Sequence, residues 1–596
     1  MKLLRIKIID PAGFRSLPCG FEHYFRDEWT LQDEPLNTDS FAPFVCAGPN
    51  GCGKSNLLEV LAAIFFQLEV QRVRRSFLPE ALQKNTFNFS PAAFELEYLI
   101  RIPKDYIKTN GAEWASVKVI KKLGQSVVTS WENQIEFDVN TMEFVTGEIL
   151  NILLPEYVLG YSSGENEILS LPFFKMRFVQ FDEYWRSLQA QLPYPGRPET
   201  RLTFLDNSYS QVVLLCNLLF QDNETLRPFR EEVGIEELKE FRIIIKRKIE
   251  IDAAQFDSFG MAEEKTVEGI LSKNRALSIS DDDIEGVRRY YLNLVHGLEK
   301  DQDSNENIDP ILERLKRCAT ISYVDERKDT ITLDYWVNEE TKRAFRENFD
   351  DSPLALFQAF QVLLTLNLYS VSDALKSDLY QSASQYVSET VPILASDKRT
   401  MRFKNFYFTK RCVEKPMLLK ELSDGEHQLL HSLGLCLLFR NTNSLILLDE
   451  PETHFNPSWR ASFISQLKAC LGNTKKTPEM LITTHSPFLI SDSKPNKVLE
   501  FEKDPETRHV KITHPEYNTF GASINKITMK TFNKRETIGG NAQLLMDSLR
   551  ARFEQGEEPT ALIDELNREL GDSVEKILLI NAMLEGTQEN GGEVQG

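Results

Sequence analysis

The stretch FVCAGPNGCGKSN, Phe44–Asn56, decides the fold class of this chain. The apolar run that ends at Gly48 predicts a short buried strand, and SNLLEVLAAIFFQLEV after the loop has the apolar spacing of a helix. Glycines between a strand and a helix let backbone N–H groups converge on phosphate oxygens, where the helix dipole also favours an anion. Gly48 to Ser55 fit GxxxxGK[ST], so we predict an α/β fold with a phosphate-binding loop.

Two side chains of this loop carry most of the expected chemistry. Lys54 would reach the β and γ phosphates of ATP, and the Ser55 hydroxyl would be a ligand of Mg²⁺. The alternative is a glycine-rich turn that only caps a helix, which the partner motifs downstream disfavour. The predicted ATP-binding set is Gly48, Asn50, Gly51, Cys52, Gly53, Lys54, Ser55 and Asn56.

An acidic strand end follows some four hundred residues later, in SLILLDEPETHFNP, Ser444–Pro457. Its apolar run predicts a central parallel strand, which delivers ligands from its carboxyl end. We expect Asp449 to hold Mg²⁺ and Glu450 to polarise a water against the γ-phosphate. Taken alone, the segment also fits a buried strand with a solvated acidic end.

Two further segments complete the motif set. LITTHSPFLIS is a strand that ends near His485, which is placed to hydrogen-bond a γ-phosphate. In LKELSDGEHQ, Ser423 and Gly425 stand before a helical run and predict a second phosphate-binding helix start. An ordinary serine-capped helix is the alternative for this second segment.

The bulk composition excludes several classes of protein. The net charge is −20, which disfavours a broadly nucleic-acid-binding surface. Eight cysteines occur without metal-ligand spacing, and no charged-then-apolar leader or long apolar run appears. The sequence therefore predicts a cytoplasmic protein with no membrane span.

Four regions are predicted along the chain. Residues 1–195 form the first part of an ATPase head and 399–515 the second part, with a mixed or parallel sheet. Residues 196–398 form a largely helical insertion, because segments such as SQVVLLCNLLF and IEELKEFRIIIKRKIEI have helical apolar spacing. Residues 516–596 form a helical extension whose tail, EGTQENGGEVQG, is expected to be disordered.

Together and in this order, the four segments resemble the ATP-binding-cassette ATPases, in particular their SMC-like branch. DEPETHFNP and THSPFLISD resemble the ATPases of the OLD nuclease group and of bacterial anti-phage systems such as Septu and retron-associated modules. The resemblance implies an ATP-sandwiched dimer in which the signature of one subunit covers the γ-phosphate held by another. It assigns Ser423, Gly425, Glu426 and Gln428 to that surface in trans. Asp424 stands where transporters usually have glycine.

The resemblance also predicts a glutamine that senses Mg²⁺, for which Gln180 in RFVQFDEYW is the candidate. YSSGENE, Tyr161–Glu167, mimics a signature without a downstream acidic strand and is treated as a loop. Nuclease activity of this chain is not expected, since no spaced metal-binding aspartates follow His485. Basic side chains in RFKNFYFTKR alternate with aromatic ones, which fits base stacking or an ordinary solvated strand.

The leading hypothesis is an ATP-hydrolysing switch subunit of a bacterial anti-phage or restriction-like complex. It would form a homodimer or a higher even oligomer and control a separate effector, most plausibly a nuclease. A nucleic acid, DNA or structured RNA/DNA, is a further candidate partner. The alternatives are an SMC-like DNA-repair or DNA-end-binding ATPase and, third, the motor of a transporter.

Overall fold

A computed structural model describes most of the 596 residues. The described residues are 1–26, 41–73, 78–84, 89–109, 111–139, 145, 147–164, 166–192, 194, 196–198, 200–260, 266–281, 288–299, 309–381, 394–472, 476–534 and 538–590. Their strands are β1 (Lys2–Ile8), β2 (Glu22–Tyr24), β3 (Phe44–Ala47), β4 (Phe94–Arg101), β5 (Trp114–Lys121), β6 (Val128–Trp131), β7 (Val158–Ser162), β8 (Leu202–Phe204), β9 (Ile235–Lys246), β10 (Lys248–Ile251), β11 (Leu277–Asp281), β12 (Arg288–Asn293), β13 (Ile321–Asp325), β14 (Thr330–Trp336), β15 (Met401–Lys410), β16 (Met417–Leu418), β17 (Leu445–Asp449), β18 (Glu479–Thr483), β19 (Val498–Lys503) and β20 (Val510–Thr513).

The helices of the same residues complete the chain order. They are α1 (Lys54–Arg72), α2 (Glu80–Lys84), α3 (Gly147–Leu153), α4 (Glu167–Gln189), α5 (Asn207–Phe220), α6 (Ala253–Asp257), α7 (Val267–Lys273), α8 (Ile311–Cys318), α9 (Glu339–Asn348), α10 (Pro353–Thr365), α11 (Asp373–Gln381), α12 (Asp424–Leu438), α13 (Pro457–Leu471), α14 (Pro487–Ser491), α15 (Ile524–Thr531), α16 (Gly540–Glu554), α17 (Pro559–Glu569) and α18 (Val574–Asn590).

A seven-stranded sheet of order β20-β19-β3-β18-β17-β7-β8 forms the centre of the head. All of its neighbouring pairs are parallel except β19 with β20. Alternate residues of its buried strands face two different cores: Leu445 and Leu447 pack with α1, while Ile446 and Leu448 pack with α5 and α12. Burial on both faces is what the continuous apolar runs predicted, and it confirms the α/β class.

Two antiparallel sheets flank this centre. Strands β2-β1-β4-β5-β6 form one, and the segments predicted as strands in AFELEYLIRI and ASVKVIKKL are confirmed there as β4 and β5. The other has the order β13-β14-β9-β15-β16 and leads through β16 to α12. A smaller sheet, β10-β12-β11, extends from the end of β9.

The region 196–398 differs from the prediction in two ways. Ile235–Lys246, predicted as a helix, is strand β9, in which Phe241, Ile243 and Ile245 are buried on one face. Its β-branched residues and its two antiparallel neighbours, β14 and β15, outweigh the helical spacing of its first half. The insertion is therefore mixed, and its first strand, β8, belongs to the head sheet beyond the boundary predicted at residue 195.

The last helices, α16 to α18, enclose a small core of their own, made by Met546, Leu549, Leu562, Leu566, Leu579 and Met583. Helix α18 ends at Asn590, so residues 585–590 are helical where disorder was predicted. Packed residues such as Met583 start this helix, and each further residue then adds one backbone hydrogen bond. The helix can therefore extend into the polar residues that follow. The last six positions of the predicted tail, 591–596, lie outside the described residues.

No single helix in the described part of the chain is long and apolar enough to cross a bilayer. One pair, Pro353–Ser370 with Asp373–Gln381, passes the same length and composition test only when counted together, and it is bent by 107°.

Candidate nucleotide site

The loop between β3 and α1 is held close to its neighbours. Gly48 and Gly53 have φ angles of 146° and 94°, which residues other than glycine rarely adopt. A Cβ atom on Gly48 would lie 2.4 Å from the Phe501 carbonyl oxygen, and one on Gly53 would lie 2.5 Å from Ser16 Oγ. The glycines of the motif are therefore required by backbone conformation and by space.

This loop lines a cleft of about 310 Å³. The Lys54 ammonium lies at its base, where Nζ donates to the carbonyl oxygens of Gly48 and Pro49 at 3.1 Å each. Burial lowers the pKa of Lys54, and the nearby carboxylates of Glu450 and Asp449 oppose that effect. The cleft is lined by Ser16, Asn50, Gly51, Gly53, Lys54, Ser55, Asn56, Glu450 and His485.

Parallel pairing joins two motif groups that are 394 residues apart in sequence. Ser55 Oγ donates to Asp449 Oδ1 at 2.8 Å, and Thr483 Oγ1 donates to the same oxygen at 2.6 Å. The register that places Asp449 opposite Thr483 on β18 fixes this contact. A hydroxyl and a carboxylate beside a phosphate loop are oxygen donors of the kind that Mg²⁺ takes, so these residues fit the ion.

Asn166 is a site residue that the sequence analysis missed. Its Nδ2 donates to Asp449 Oδ2 at 2.8 Å, and its Oδ1 caps α4 by accepting from Leu169 N–H. The sequence signal that could have identified Asn166 is its position in YSSGENE, in the loop after β7. Strand β7 is a parallel neighbour of β17, so the two strand ends meet at one edge of the sheet. Gln180, which was predicted for the metal, is buried in the middle of α4 and is not among the residues that line the described cleft.

A buried carboxyl, Glu59 on α1, ties both sides of this cluster together. Its Oε1 accepts from Asn166 Nδ2 at 3.4 Å. With its amide oriented to satisfy both neighbours, Asn56 donates to Glu59 Oε2 at 3.2 Å and accepts from Ser16 Oγ at 2.5 Å. Burial raises the pKa of Glu59 to about 7. The network runs from the loop that carries Ser16 to the oxygens of Asp449.

We expect Asn166→Ala to lower the apparent affinity for Mg²⁺ during ATP turnover by about 10–100-fold, because residues that orient a metal ligand have effects of that size. The measurement is the ATPase rate as a function of Mg²⁺ concentration. Gln180→Ala, on the same helix, is the matched control and should leave the curve in place. A shift with Gln180→Ala and none with Asn166→Ala would reverse the two assignments.

Glu450 and His485 both line the cleft and contact each other. His485 Nε2–H donates to Glu450 Oε1 at 3.0 Å, and this hydrogen bond lowers the pKa of Glu450 below its ordinary value. The backbone of Glu450 has a positive φ of 49°. Its N–H donates to Thr483 O and Oγ1 at 3.2 and 3.0 Å, which holds the strained residue in place. The arrangement keeps an ionised, half-exposed carboxylate facing the cleft.

The signature residues lie elsewhere on the same chain. Ser423 is the exposed N-cap of α12 and forms a capping box with Glu426, whose carboxylate also pairs with Lys410. A Cβ atom on Gly425 would lie 2.7 Å from the His454 carbonyl oxygen, so this glycine is needed for close packing on the chain after β17. None of the signature residues lines the described cleft.

Gln428 differs from its predicted role. It is buried, and its Oε1 accepts from His454 N–H at 3.0 Å. One turn of helix separates it from the exposed start at Ser423, so it points into its own chain. Gln428 therefore ties α12 to the segment after the acidic strand instead of lying on an open surface.

Glu452, two residues beyond Glu450, is buried behind the cleft. Its Oε1 accepts from Thr484 Oγ1, while Oε2 has no hydrogen-bond partner among the described residues. Burial raises the pKa of Glu452 from 4.5 to about 7. The folded chain therefore binds this proton more tightly than the unfolded chain, and the free energy of unfolding falls as pH rises through that range.

The free energy of unfolding of the wild type should fall between about pH 5 and about pH 8. In Glu452→Gln this fall should be smaller by on the order of 1–3 kcal/mol. Chemical denaturation at both pH values measures it. Glu502→Gln, on the exposed end of β19, should keep the wild-type pH dependence. An unchanged pH dependence in Glu452→Gln would show that this carboxyl is not the source.

A glycine loop on a parallel sheet, an acidic strand end and a strand-end histidine lie together in one cleft, which is the arrangement expected of a site for a nucleoside triphosphate and Mg²⁺. Residues 230–491 match the family model described as "AAA domain, putative AbiEii toxin, Type IV TA system". The matched range includes Ser423, Asp449, Glu450 and His485 but begins after the phosphate-binding loop.

Two similar proteins add context. The chain is 26% identical over 131 residues to protein ea59 of Escherichia phage lambda, an alignment that spans 22% of this chain and 24% of that relative. A solved structure of the recombination mediator protein RecF, titled as a complex with ATPrS in the RecFOR pathway, is 12% identical. It covers 83% of this chain and 96% of its own, with a TM-score of 0.27, too low for an inference about shared architecture.

Proposed function

We propose that this chain is an ATP-hydrolysing switch subunit whose nucleotide site is completed by the signature helix of a second copy. The observation that carries the proposal is the separation within one chain. The cleft contains the phosphate loop, Glu450 and His485, while the exposed N-cap Ser423 and its helix lie outside the cleft lining. An exposed helix start is suited to a phosphate that its own chain does not present.

The proposed reaction uses the backbone of the loop together with Lys54, Ser55, Asp449, Glu450 and His485. The backbone N–H groups of the loop and Lys54 hold the phosphates, and Ser55 and Asp449 supply oxygen ligands for Mg²⁺. Bound Mg²⁺ would neutralise charge on the β and γ phosphates. Glu450 takes a proton from the water that attacks the γ-phosphorus as the bond to the β-phosphate oxygen breaks. His485 fixes the orientation of Glu450 through the hydrogen bond of 3.0 Å.

ATP would act as a link between subunits in this arrangement. The γ-phosphate contacts both copies, so its removal weakens the dimer and changes the surfaces that the dimer presents. A ligand can shift a two-state equilibrium only by its differential affinity for the two states, and a few kcal/mol is enough for a large shift. The γ-phosphate supplies such a difference because ADP lacks it.

We propose further that the switch controls a separate effector, a nuclease, in a bacterial anti-phage complex in the cytoplasm. The support for this step is the resemblance of DEPETHFNP and THSPFLISD to defence-type ATPases. The test is to purify tagged Glu450→Gln protein from its native host with Mg-ATP and assay the nucleolytic activity that comes with it. Cutting that depends on this ATPase supports the proposal, and an ATP-dependent dimer that acts alone on DNA ends supports the repair alternative.

The dimer itself has a direct test. Light scattering should show twice the protomer mass for Glu450→Gln with Mg-ATP and the protomer mass with ADP. Ser423→Arg, at the exposed helix start, should keep ATP binding and lose the ATP-dependent dimer. A dimer of equal strength with ATP, with ADP and without nucleotide would contradict an ATP sandwich.

A further inference from the structure

The five-stranded sheet that carries β9 and β15 has one buried face and one open face. Phe241, Ile243 and Ile245 of β9 lie in the core on one side. The alternate residues of β9, β13, β14 and β15 lie on the other side, which is called the outer face here. Its members are Glu240, Arg242, Ile244, Lys246, Ile321, Tyr323, Asp325, Thr330, Thr332, Asp334, Trp336, Arg402, Lys404 and Tyr407.

One half of the outer face is aromatic and exposed. Tyr323 on β13 is 46% exposed and Trp336 on β14 is 67% exposed, with Ile321 at 58% between them. Exposed aromatic rings on adjacent strands are costly in water unless something covers them. Their flat faces on an open sheet are suited to stacking with planar groups.

The other half of the outer face is basic. Arg402 and Lys404 stand two residues apart on β15, about 7 Å along the strand. Lys404 is exposed, and Arg402 Nε is buried with no hydrogen-bond partner among the described residues. Neither side chain has an ion pair among the salt bridges of the described residues. In a protein of net charge −20, two adjacent uncompensated cations are a local exception.

Strand pairing places the two halves in register. Tyr323 lies opposite Thr332, which lies opposite Ile244, which lies opposite Arg402. At about 4.8 Å per strand, the backbones of Tyr323 and Arg402 stand about 14 Å apart. That span is longer than the distance from a base to its own phosphate, so the ring and the guanidinium would contact different nucleotides of one strand.

Acidic side chains on the outer face are few and partly neutralised. Arg242 holds Asp334 with two hydrogen bonds of 2.5 and 2.8 Å, so this pair adds no net charge. Asp325, at the end of β13 on the same face, lies 4.0 Å from Lys328 Nζ. Glu240, opposite Trp336 and Tyr407, has no ion pair among the described residues. The cations Arg402, Lys404 and Lys246, which also lack an ion pair among the described residues, outweigh Glu240.

We propose that the outer face binds single-stranded nucleic acid, with bases stacked on Trp336 and Tyr323 and phosphates held by Arg402 and Lys404. A protein segment would cover the rings but leave the cations without anions unless it were acidic. A duplex presents phosphates but hides the faces of its bases. A single strand satisfies both halves at once, and stacking with charge contact is tolerant of sequence.

The same strand leads toward the signature helix. β15 ends at Lys410, which pairs with Glu426 of the capping box around Ser423. A ligand that orders β15 would therefore act on the helix start proposed to meet ATP. Binding to the outer face does not depend on that route, so it can be tested without ATP turnover.

The experiment is fluorescence anisotropy of labelled oligothymidylate of about 20 nucleotides, titrated with nucleotide-free protein at several salt concentrations. Oligouridylate of the same length separates DNA from RNA, and a duplex of the same length tests the need for exposed bases. Binding of one or both single strands, with weaker binding of the duplex, is the expected result. No saturable binding at low salt would overturn the proposal.

Variants locate the site. Trp336→Ala should weaken binding about tenfold, as expected for the loss of one stacked base, with little change in the salt dependence. Lys404→Glu should weaken binding and reduce the salt dependence by about one phosphate contact. Lys122 is an exposed lysine that follows β5 in another sheet. Lys122→Glu makes the same change in charge as Lys404→Glu and should bind the oligonucleotide as wild type does.

Trp336 and Lys404 are exposed, so both variants should fold, and an unchanged melting temperature confirms it. Unchanged affinity in Trp336→Ala and Lys404→Glu would overturn the proposal. ATPase rates of the same variants are measured separately, so a failure of the ATP switch leaves this result intact.

Discussion

Glu450→Gln is expected to lower ATP turnover by about 10²–10⁴-fold and to leave ATP bound, since a general base contributes that much to a rate. The amide keeps the size of the carboxylate but cannot take a proton from water. It can still accept from His485 Nε2–H, which donates to Glu450 at 3.0 Å. The phosphate loop and Ser55 are untouched, so the variant should hold ATP as a stable complex.

Single-turnover hydrolysis and binding of labelled ATP measure the two parts of this expectation. Glu502→Gln, on β19 and outside the cleft, is the matched control and should turn over ATP as wild type. Wild-type turnover in Glu450→Gln would remove this residue from the role of base. Loss of ATP binding would mean that Glu450 is needed for the shape of the cleft.

Lys54→Ala is expected to weaken ATP binding by about 100-fold, since a charged hydrogen-bond donor contributes about 1.5–3 kcal/mol and here faces more than one phosphate. In the free protein its ammonium donates to the Gly48 and Pro49 carbonyl oxygens and to Cys52 Sγ, and it has no salt bridge among the described residues, so it can turn to phosphates without leaving a buried ion pair. Calorimetry with ATP measures the change. Lys511→Ala, exposed on β20, is the control for lost positive charge. Equal affinity in wild type and Lys54→Ala would contradict the assignment of the loop.

Much of the head could be predicted from sequence because its signals are local. The apolar runs before Gly48 and Asp449 are short and continuous, as parallel strands buried on both faces require, and the structure places both strands in one sheet. The contact between Ser55 and Asp449 then follows from parallel strand ends meeting at one edge. The assigned roles of these residues remain predictions that the variants above test.

The misses come from information that a local pattern does not contain. Ile235–Lys246 has helical spacing in its first half, but its state is set by the two strands that pair with it. Asn166 has no motif of its own, and its function depends on β7 lying beside β17. Gln180 was chosen by residue type, although burial within α4 keeps it from the cleft. For Ile235–Lys246 and for Asn166, the prediction would have required the order of the strands in the sheet, which a local sequence pattern does not give.

The split of the site along the chain has a structural explanation. β3 and β17 belong to one sheet, while the chain between them builds the sheet that carries β9 and returns through β15 to α12. The signature helix is thus fixed on a second layer, packed against the chain after β17 through Gln428 and His454. The exposed start of α12 therefore lies outside the lining of the cleft on the same chain.

The central claim is that the cleft of one copy and the start of α12 of another meet across a dimer, and mixing two inactive variants tests it most directly. Lys54→Ala lacks the phosphate contact and Ser423→Arg lacks the signature contact, so neither alone should hydrolyse ATP. A mixed dimer contains one intact composite site, and equal amounts of the two variants should recover about a quarter of wild-type activity if they pair at random. No recovery at any ratio, with both variants folded, would contradict the account.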